Sequence, residues 1–342
     1  MNKFVLLTHK DKRAYFEVAA ANLNVMPQLV EKDFWVCWIL KILFSLPEIG
    51  THLTFKGGTS LSKCYNVIKR FSEDIDISIE RPFLLKTRAI EPDKEKSNKE
   101  NQKRLKELQL VCKTKIDEMI FPGIKQAIAA VLLDNGEWKI EMDPEDADGQ
   151  TVLFTFPHAM MSHAESYVRS SVKIEFGARS DHWPVETATI VPYIANVPGE
   201  QVIEGTSVRV LVAERTFWEK ATILHMIYHY PSEKNVPLRM SRHYYDIYAM
   251  ADSPIYKRAL ETISLLKHVS DHKSLFFKAN WAHYDEAKPG TLHLVPRDDQ
   301  VNQLKNDYRQ MQQMFFEEPP LFERIIEKLR VIEEQVNGIS NT

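Results

Sequence analysis

Two carboxylates set two residues apart are the first sign of chemistry in this sequence. In Phe71–Ile79, FSEDIDISI, Asp74 and Asp76 alternate with Ile75, Ile77 and Ile79. An extended chain turns successive side chains to opposite faces, so the segment reads as a strand with one apolar and one acidic face. Paired carboxylates of this kind suit a hard divalent cation, Mg²⁺ or Mn²⁺, that also grips phosphate oxygens. Upstream stands Phe55-Lys56-Gly57-Gly58-Thr59-Ser60. A strand running into Gly-Gly and then a helix lets backbone approach a phosphate closely, and the first helical N–H groups point at the anion. Thr59 and Ser60 add hydroxyl donors. Ser72 lies on the acidic face, as a phosphate contact, a modified residue or simply a hydroxyl at the start of the strand. Gly-Gly-Thr-Ser alone is often a tight turn, and Asp-x-Asp alone is frequent on solvent-facing strands. The order strand, Gly-Gly, helix, acidic strand, with 15 residues between Gly58 and Asp74, is far more specific.

Other carboxylates lie on later strand candidates. Val172-Lys173-Ile174-Glu175-Phe176 alternates so that Lys173 and Glu175 share a face, making Glu175 a candidate metal ligand or half of a surface Lys/Glu ladder. Glu141, in WKIEM, is its rival. Lys220 lies beside the helical stripe Phe217, Ile223, Leu224 and Ile227, where a lysine ordinarily reaches out to water. His225 and His229 are four apart, but Met226 stands where the His-Glu-x-x-His metalloprotease pattern needs Glu, so these histidines read as helix-surface or packing residues. Between Lys86 and Lys115 ten Lys/Arg face five Asp/Glu. Such a stretch reads as a solvated helix with a charged loop before it, or as phosphate contacts for a polyanion through Lys94, Lys96, Lys99, Lys103 and Arg104.

The elements that must position these groups follow from pattern. Residues 10–46 read as two helices, with Pro27 at a start and Pro47 as a stop. Residues 51–55 alternate as a strand, and Thr59–Ile68 has helical spacing. The polar segment 91–103 reads as a loop entering a helix that breaks at Pro122-Gly123 and resumes to about Leu133. Strand candidates lie at 137–142, 151–156, 170–176, 188–194 and 208–212. Helices follow at 213–230, 242–267, 299–316 and 319–336. The order predicts an α+β chain: an N-terminal helical segment over 1–48, a core over 49–212 and a helical domain over 213–342. With 342 residues and a formal charge of -3, the composition is that of an ordinary folded protein. Cys37, Cys64 and Cys112 give neither a disulfide framework nor a zinc pattern and suit a reducing, cytoplasmic setting. No signal peptide is expected at the N-terminus, where charge comes too early. The longest apolar run, Phe34–Phe44, contains Lys41 and is about half the roughly 20 residues a membrane span requires.

Strand, Gly-Gly-[Ser/Thr], helix, Asp-x-Asp is the signature of polymerase-β-like nucleotidyltransferases, and FKGGTSLSK with RFSEDIDI resembles the AbiEii/AbiGii toxin family within them. Glu31-Lys32-Asp33-Phe34, Glu214-Arg215-Thr216-Phe217-Trp218-Glu219-Lys220 and Arg242-His243-Tyr244-Tyr245-Asp246 are similar to that family's other motifs. The resemblance implies a nucleotidyltransferase core and the toxin of a toxin–antitoxin or phage-defence system. It implies a nucleoside triphosphate substrate, an RNA acceptor such as a tRNA 3′ end, a cognate antitoxin and no membrane. It makes Lys220 a triphosphate-binding cation and Asp246 its polar partner. On this reading Asp74, Asp76 and Glu175 hold metal, while Lys56, Gly57, Gly58, Thr59, Ser60 and Ser72 hold the nucleotide. The competing readings are an Asp-x-Asp glycosyltransferase, against which the preceding Gly-Gly helix argues, and a silent nucleic-acid- or antitoxin-binding scaffold.

Overall fold

The computed structural model describes residues 1–86, 90–133, 136–160, 171–199 and 203–339. They form two compact units: 1–64, 71–91 and 102–211 in the first, and 65–70, 92–101 and 212–342 in the second. In chain order the helices are α1 (Asn2–Val5), α2 (His9–Leu23), α3 (Pro27–Phe44), α4 (Gly57–Lys63), α5 (Arg81–Leu85), α6 (Asn98–Lys115) and α7 (Phe121–Ala129). They continue with α8 (Ala213–Tyr228), α9 (Ser241–Ala251), α10 (Pro254–Glu261), α11 (Ser264–Phe276), α12 (Asp298–Gln310) and α13 (Phe322–Asn337). The strands are β1 (Leu53–Lys56), β2 (Ile75–Ile79), β3 (Lys139–Met142), β4 (Thr151–Thr155), β5 (Ser171–Gly177), β6 (Val185–Ile190) and β7 (Thr206–Leu211).

The first unit is built on a mixed seven-stranded sheet in the order β3-β4-β5-β2-β1-β7-β6. β2 runs antiparallel to β1 and parallel to β5, and β1 runs parallel to β7. The apolar positions of these strands meet α3, which packs on β5 and β7. α3 is hydrophobic nearly all round, so it is buried nearly all round. Its Trp35 stacks on Phe156 at 5.5 Å and meets Trp38 and Phe154 edge-on. The apolar run read from sequence as too short to cross a membrane is this core helix; among the described residues no helix is long and apolar enough to do so.

Several expected elements differ: the helical spacing of Thr59–Ile68 yields a helix that ends at Lys63, and the helix expected over 299–316 ends at Gln310. The helix entering at Asn98 does not break at Pro122-Gly123. A single π-helical turn, Ile116–Ile120, precedes Pro122, which then sits in the first turn of α7. Pro122, which has no N–H to donate, stands where the hydrogen-bonding pattern passes from the π turn to α7. The helix expected over 242–267 is three helices, because Ser253 accepts from the Ile255 N–H and Pro254 opens α10. β6 starts and ends earlier than expected, and Tyr193–Asn196 is a 3₁₀ turn. Residue 170 of the candidate strand 170–176 and Arg88 of the basic stretch lie outside the described residues.

In the second unit α8 packs on α9, α10 and α11, and α9 also packs on α12 and α13. The short segment 65–70 belongs here: the Lys69 N–H donates to Tyr245 Oη at 3.1 Å, and the Lys69 carbonyl accepts from the Phe316 N–H at 3.1 Å.

Candidate active site

Register, not sequence distance, assembles the acidic face. β2 pairs with β1 so that Asp76 faces Lys56, and with β5 so that Asp76 faces Glu175; β5 in turn pairs Glu175 with Thr151 on β4. Residues paired across a sheet share a face, so Lys56, Asp76, Glu175 and Thr151 form one row on the side away from α3. Asp74 lies on the same side, one residue before β2, and both aspartates are half-buried.

Gly57 joins the phosphate-loop motif to the acids. Its φ is +80°, in the left-handed region, and a Cβ there would fall 1.9 Å from Asp76 Oδ2. The Asp76 carboxylate therefore rests on the bare backbone of Gly57, at the point where α4 begins. Gly58, inside that first turn, does not have a positive φ. The hydroxyls that follow are turned inward. Thr59 Oγ1 donates to the Asp74 carbonyl at 2.5 Å and lies 3.0 Å from Ser72 Oγ, while Ser60 donates to the Gly57 carbonyl at 2.9 Å. Thr59 and Ser60 are buried and Ser72 half-buried. They lock the glycine turn to the start of the acidic strand.

Glu175 is in register with Asp76 but not drawn to it. Its Oε1 accepts from Lys173 Nζ at 2.6 Å, the ladder contact that alternation allows. Burial lowers the Lys173 pKa, but Glu175, then Asp74 and Asp143, outweigh it and raise it. Glu141 pairs with Lys139 on the edge strand β3. Among the described residues no three His, Cys, Asp or Glu side chains gather around one point as metal ligands. Asp74 and Asp76 do fit a hard divalent cation as a pair of oxygen donors on one face; Glu175 is held off by its lysine.

Lys220 and Asp246 meet in the second unit. Asp246, fully buried, accepts from Lys220 Nζ at 2.8 Å and from Arg70 Nε and Nη2, both at 2.8 Å. Burial alone would raise the Asp246 pKa; Arg70 and Lys220 overcome it and hold the carboxylate below its ordinary range. Burial lowers the Lys220 pKa, opposed by Asp246 and reinforced by Arg70. Arg70 is a partner of Asp246 that the sequence does not announce. It sits four residues before Asp74, and nothing local marks it as the partner of a residue 176 positions away.

Of the basic stretch, Lys94 pairs with Asp271 and Arg104 donates to the Glu91 carbonyl, whereas Lys96, Lys99 and Lys103 are exposed. Of the two histidines, His225 on α8 is buried and His229, at the C-cap of that helix, is half-buried. His225 accepts from the His293 N–H at 3.1 Å through Nδ1, which leaves Nε2–H to donate to the His283 carbonyl at 3.0 Å. Burial, with smaller contributions from His229 and His293, lowers the His225 pKa to about 4. The unfolded chain therefore takes the proton first as pH falls, and the stability present above pH ~6.5 is lost progressively toward pH 4. At ~1.4 kcal/mol per pKa unit, the loss at pH 5 is about 2 kcal/mol. Urea unfolding at pH 7 and pH 5 should show it, and His225→Gln should flatten it; equal losses in parent and variant would refute the assignment.

The family model described as "Nucleotidyl transferase AbiEii toxin, Type IV TA system" matches residues 38–328. The chain belongs to the AbiEii nucleotidyltransferase toxin family. Its Gly-Gly turn, acidic strand, Lys220 and Asp246 all fall within the matched residues of this AbiEii member. Among solved structures it is similar to the nucleotidyltransferase toxin MenT4 of Mycobacterium tuberculosis H37Rv, at 18% identity and a TM-score of 0.43, over 94% of this chain and 97% of that one. No curated protein matches.

Proposed function

We propose that this AbiEii-family nucleotidyltransferase moves a nucleotidyl group from a nucleoside triphosphate to an RNA hydroxyl, such as a tRNA 3′ end, and that a cognate antitoxin opposes it in the cytoplasm. The contact of Asp76 with Gly57 carries the reading, because it fuses the Gly-Gly turn and the acidic strand into one surface. Asp74 and Asp76 would hold Mg²⁺ or Mn²⁺, which when bound neutralises triphosphate charge and polarises the α-phosphate. Glu175, in register with Asp76, is the third carboxylate on the same side of the sheet. Gly57 and Gly58 keep backbone bare for close approach of phosphate, and Lys56, in line with Asp76, adds a cation. Thr59, Ser60 and Ser72 hold that surface in shape through the hydroxyl bonds described above. In the second unit Lys220 and Arg70 exceed Asp246 by one positive charge; Lys220 is the cation for the nucleotide's phosphates, and Asp246 orients it. The acceptor oxygen attacks the α-phosphate and pyrophosphate leaves, so the protein's work is positioning and charge neutralisation.

The test is incubation with each α-labelled triphosphate, with and without total RNA, in Mn²⁺ and in EDTA. Label should enter RNA, and EDTA should abolish it. Replacing the exposed Lys96, Lys99 and Lys103 by Gln should lessen the salt dependence of RNA binding, by up to ~0.7 in log–log slope per lost contact. Turnover of a sugar nucleotide, or no transfer with any triphosphate and RNA, would overturn the reading.

A further inference from the structure

Three consecutive residues of α3 are charged and almost wholly buried: Glu31, Lys32 and Asp33 are each 2% exposed. Burying an ion is costly unless it is paired, so each has a partner, and the partners lie far apart in sequence. Successive helical residues point about 100° apart, so the three reach different segments of the first unit. Glu31 accepts from the Ala159 N–H at 2.6 Å and the Met160 N–H at 3.3 Å. Lys32 Nζ meets Glu73 Oε2 at 2.6 Å. Asp33 accepts from Lys63 Nζ at 2.7 Å and from the Tyr193 N–H at 2.7 Å.

Two of these partners flank the candidate active site. Glu73 immediately precedes Asp74. Neighbouring side chains of an extended segment point to opposite sides, so fixing Glu73 toward α3 fixes Asp74 away from it. That matters because Asp74 lies one residue before β2. Its carbonyl is held by Thr59, and its orientation is set by the residue before it. Lys63 is the last residue of α4, the helix that begins under the Asp76 carboxylate at Gly57. Burial would lower the Lys63 pKa, but Asp33, with Cys37 and Tyr193, more than reverses this, and its ammonium also lies 3.9 Å from the Tyr193 ring centroid.

We infer that Lys32 and Asp33 are positioning residues for the metal-binding acids: Lys32 aims Asp74 through Glu73, and Asp33 anchors the far end of the helix that carries Gly57. The inference rests on the proposed metal role of Asp74 and Asp76. Groups that orient metal ligands typically cost about 10–100-fold in metal affinity or activity when removed.

The test uses the full chain and Mn²⁺ alone, followed by calorimetry and Mn²⁺ EPR without nucleotide. Lys32→Met alone takes the ammonium away from the buried Glu73 carboxylate and can unfold the protein. The double variant Lys32→Met, Glu73→Leu replaces the pair by apolar side chains of similar size, an exchange that buried ion pairs often tolerate. It should melt near the parent temperature yet bind Mn²⁺ about 10–100-fold more weakly, with kcat reduced in step. Glu73→Gln, which keeps the shape and an acceptor for Lys32, should weaken Mn²⁺ by about tenfold, the low end of that range. Asp76→Asn, run in parallel, should abolish Mn²⁺ binding. Parental Mn²⁺ affinity in both Glu73 variants, beside a defective Asp76→Asn, overturns the positioning role of Lys32 and leaves the metal site standing. Parental affinity in Asp76→Asn overturns both.

Discussion

Asp74→Asn and Asp76→Asn each leave the protein folded and reduce nucleotidyl transfer by about a thousandfold or more. The amide keeps the shape of the carboxylate, so the row Lys56, Asp76, Glu175, Thr151 stays packed and the contact with Gly57 is preserved. What is lost is the negative charge that a divalent cation needs, and with it the charge stabilisation that a catalytic metal supplies at a phosphoryl centre. Two carboxylates on one strand face also repel each other, so neutralising one relieves that repulsion. Thermal stability without metal should hold or rise slightly, while the stabilisation produced by added Mn²⁺ should disappear. That pairing separates a metal site from a structural one, because a structural aspartate would lower the melting temperature when changed. The measurements are labelled transfer at saturating triphosphate and melting curves with and without Mn²⁺. A double variant keeping a tenth of the parental rate would end the metal-site reading.

Local pattern makes the acidic strand legible and leaves its neighbours hidden. Alternation in IDISI marks the two faces of β2, and alternation in VKIEF puts Lys173 beside Glu175, because side-chain direction in a strand depends only on the chain itself. That Glu175 stands opposite Asp76 depends on the register between β2 and β5, some hundred residues apart, which no local pattern encodes. The charged partners are hidden for a related reason. Lys32 and Glu73 are 41 residues apart, and Arg70 and Asp246 are 176 apart. The one local signal is incongruity: Glu31, Lys32 and Asp33 interrupt a helix that is otherwise almost wholly apolar, and charges in such a place imply buried partners without naming them. The glycine pair reads as a turn and is one, but which glycine bears the left-handed φ is set by the path of the chain into α4. The Ser253-Pro254 start of α10 is legible in the sequence, yet helical spacing on both sides of it masks the break.

Gly57→Ala should be nearly as damaging to transfer as loss of an aspartate, for two reasons that can be separated. The first is conformational: a side chain at φ +80° adopts a backbone region that non-glycine residues reach at a cost of about 1–2 kcal/mol. The second is steric and local. The new methyl would lie 1.9 Å from Asp76 Oδ2 and 2.8 Å from its Cγ, so the carboxylate must swing away from the turn. Bare backbone and acid can then no longer present one surface to phosphate and metal. Gly136 supplies the control, since it has nearly the same φ, +79°, and a methyl added there would meet nothing within 4 Å. Gly136→Ala should therefore carry the conformational cost alone, with a melting temperature lowered about as much as in Gly57→Ala and a transfer rate close to the parent. Gly57→Ala should add to that a fall in rate of about a hundredfold or more, the scale of losing one preorganised charge-stabilising contact, together with weaker Mn²⁺ binding from the displaced Asp76. Equal melting temperatures and equal, parental rates in the two variants would show that the Gly57–Asp76 contact plays no part in the chemistry.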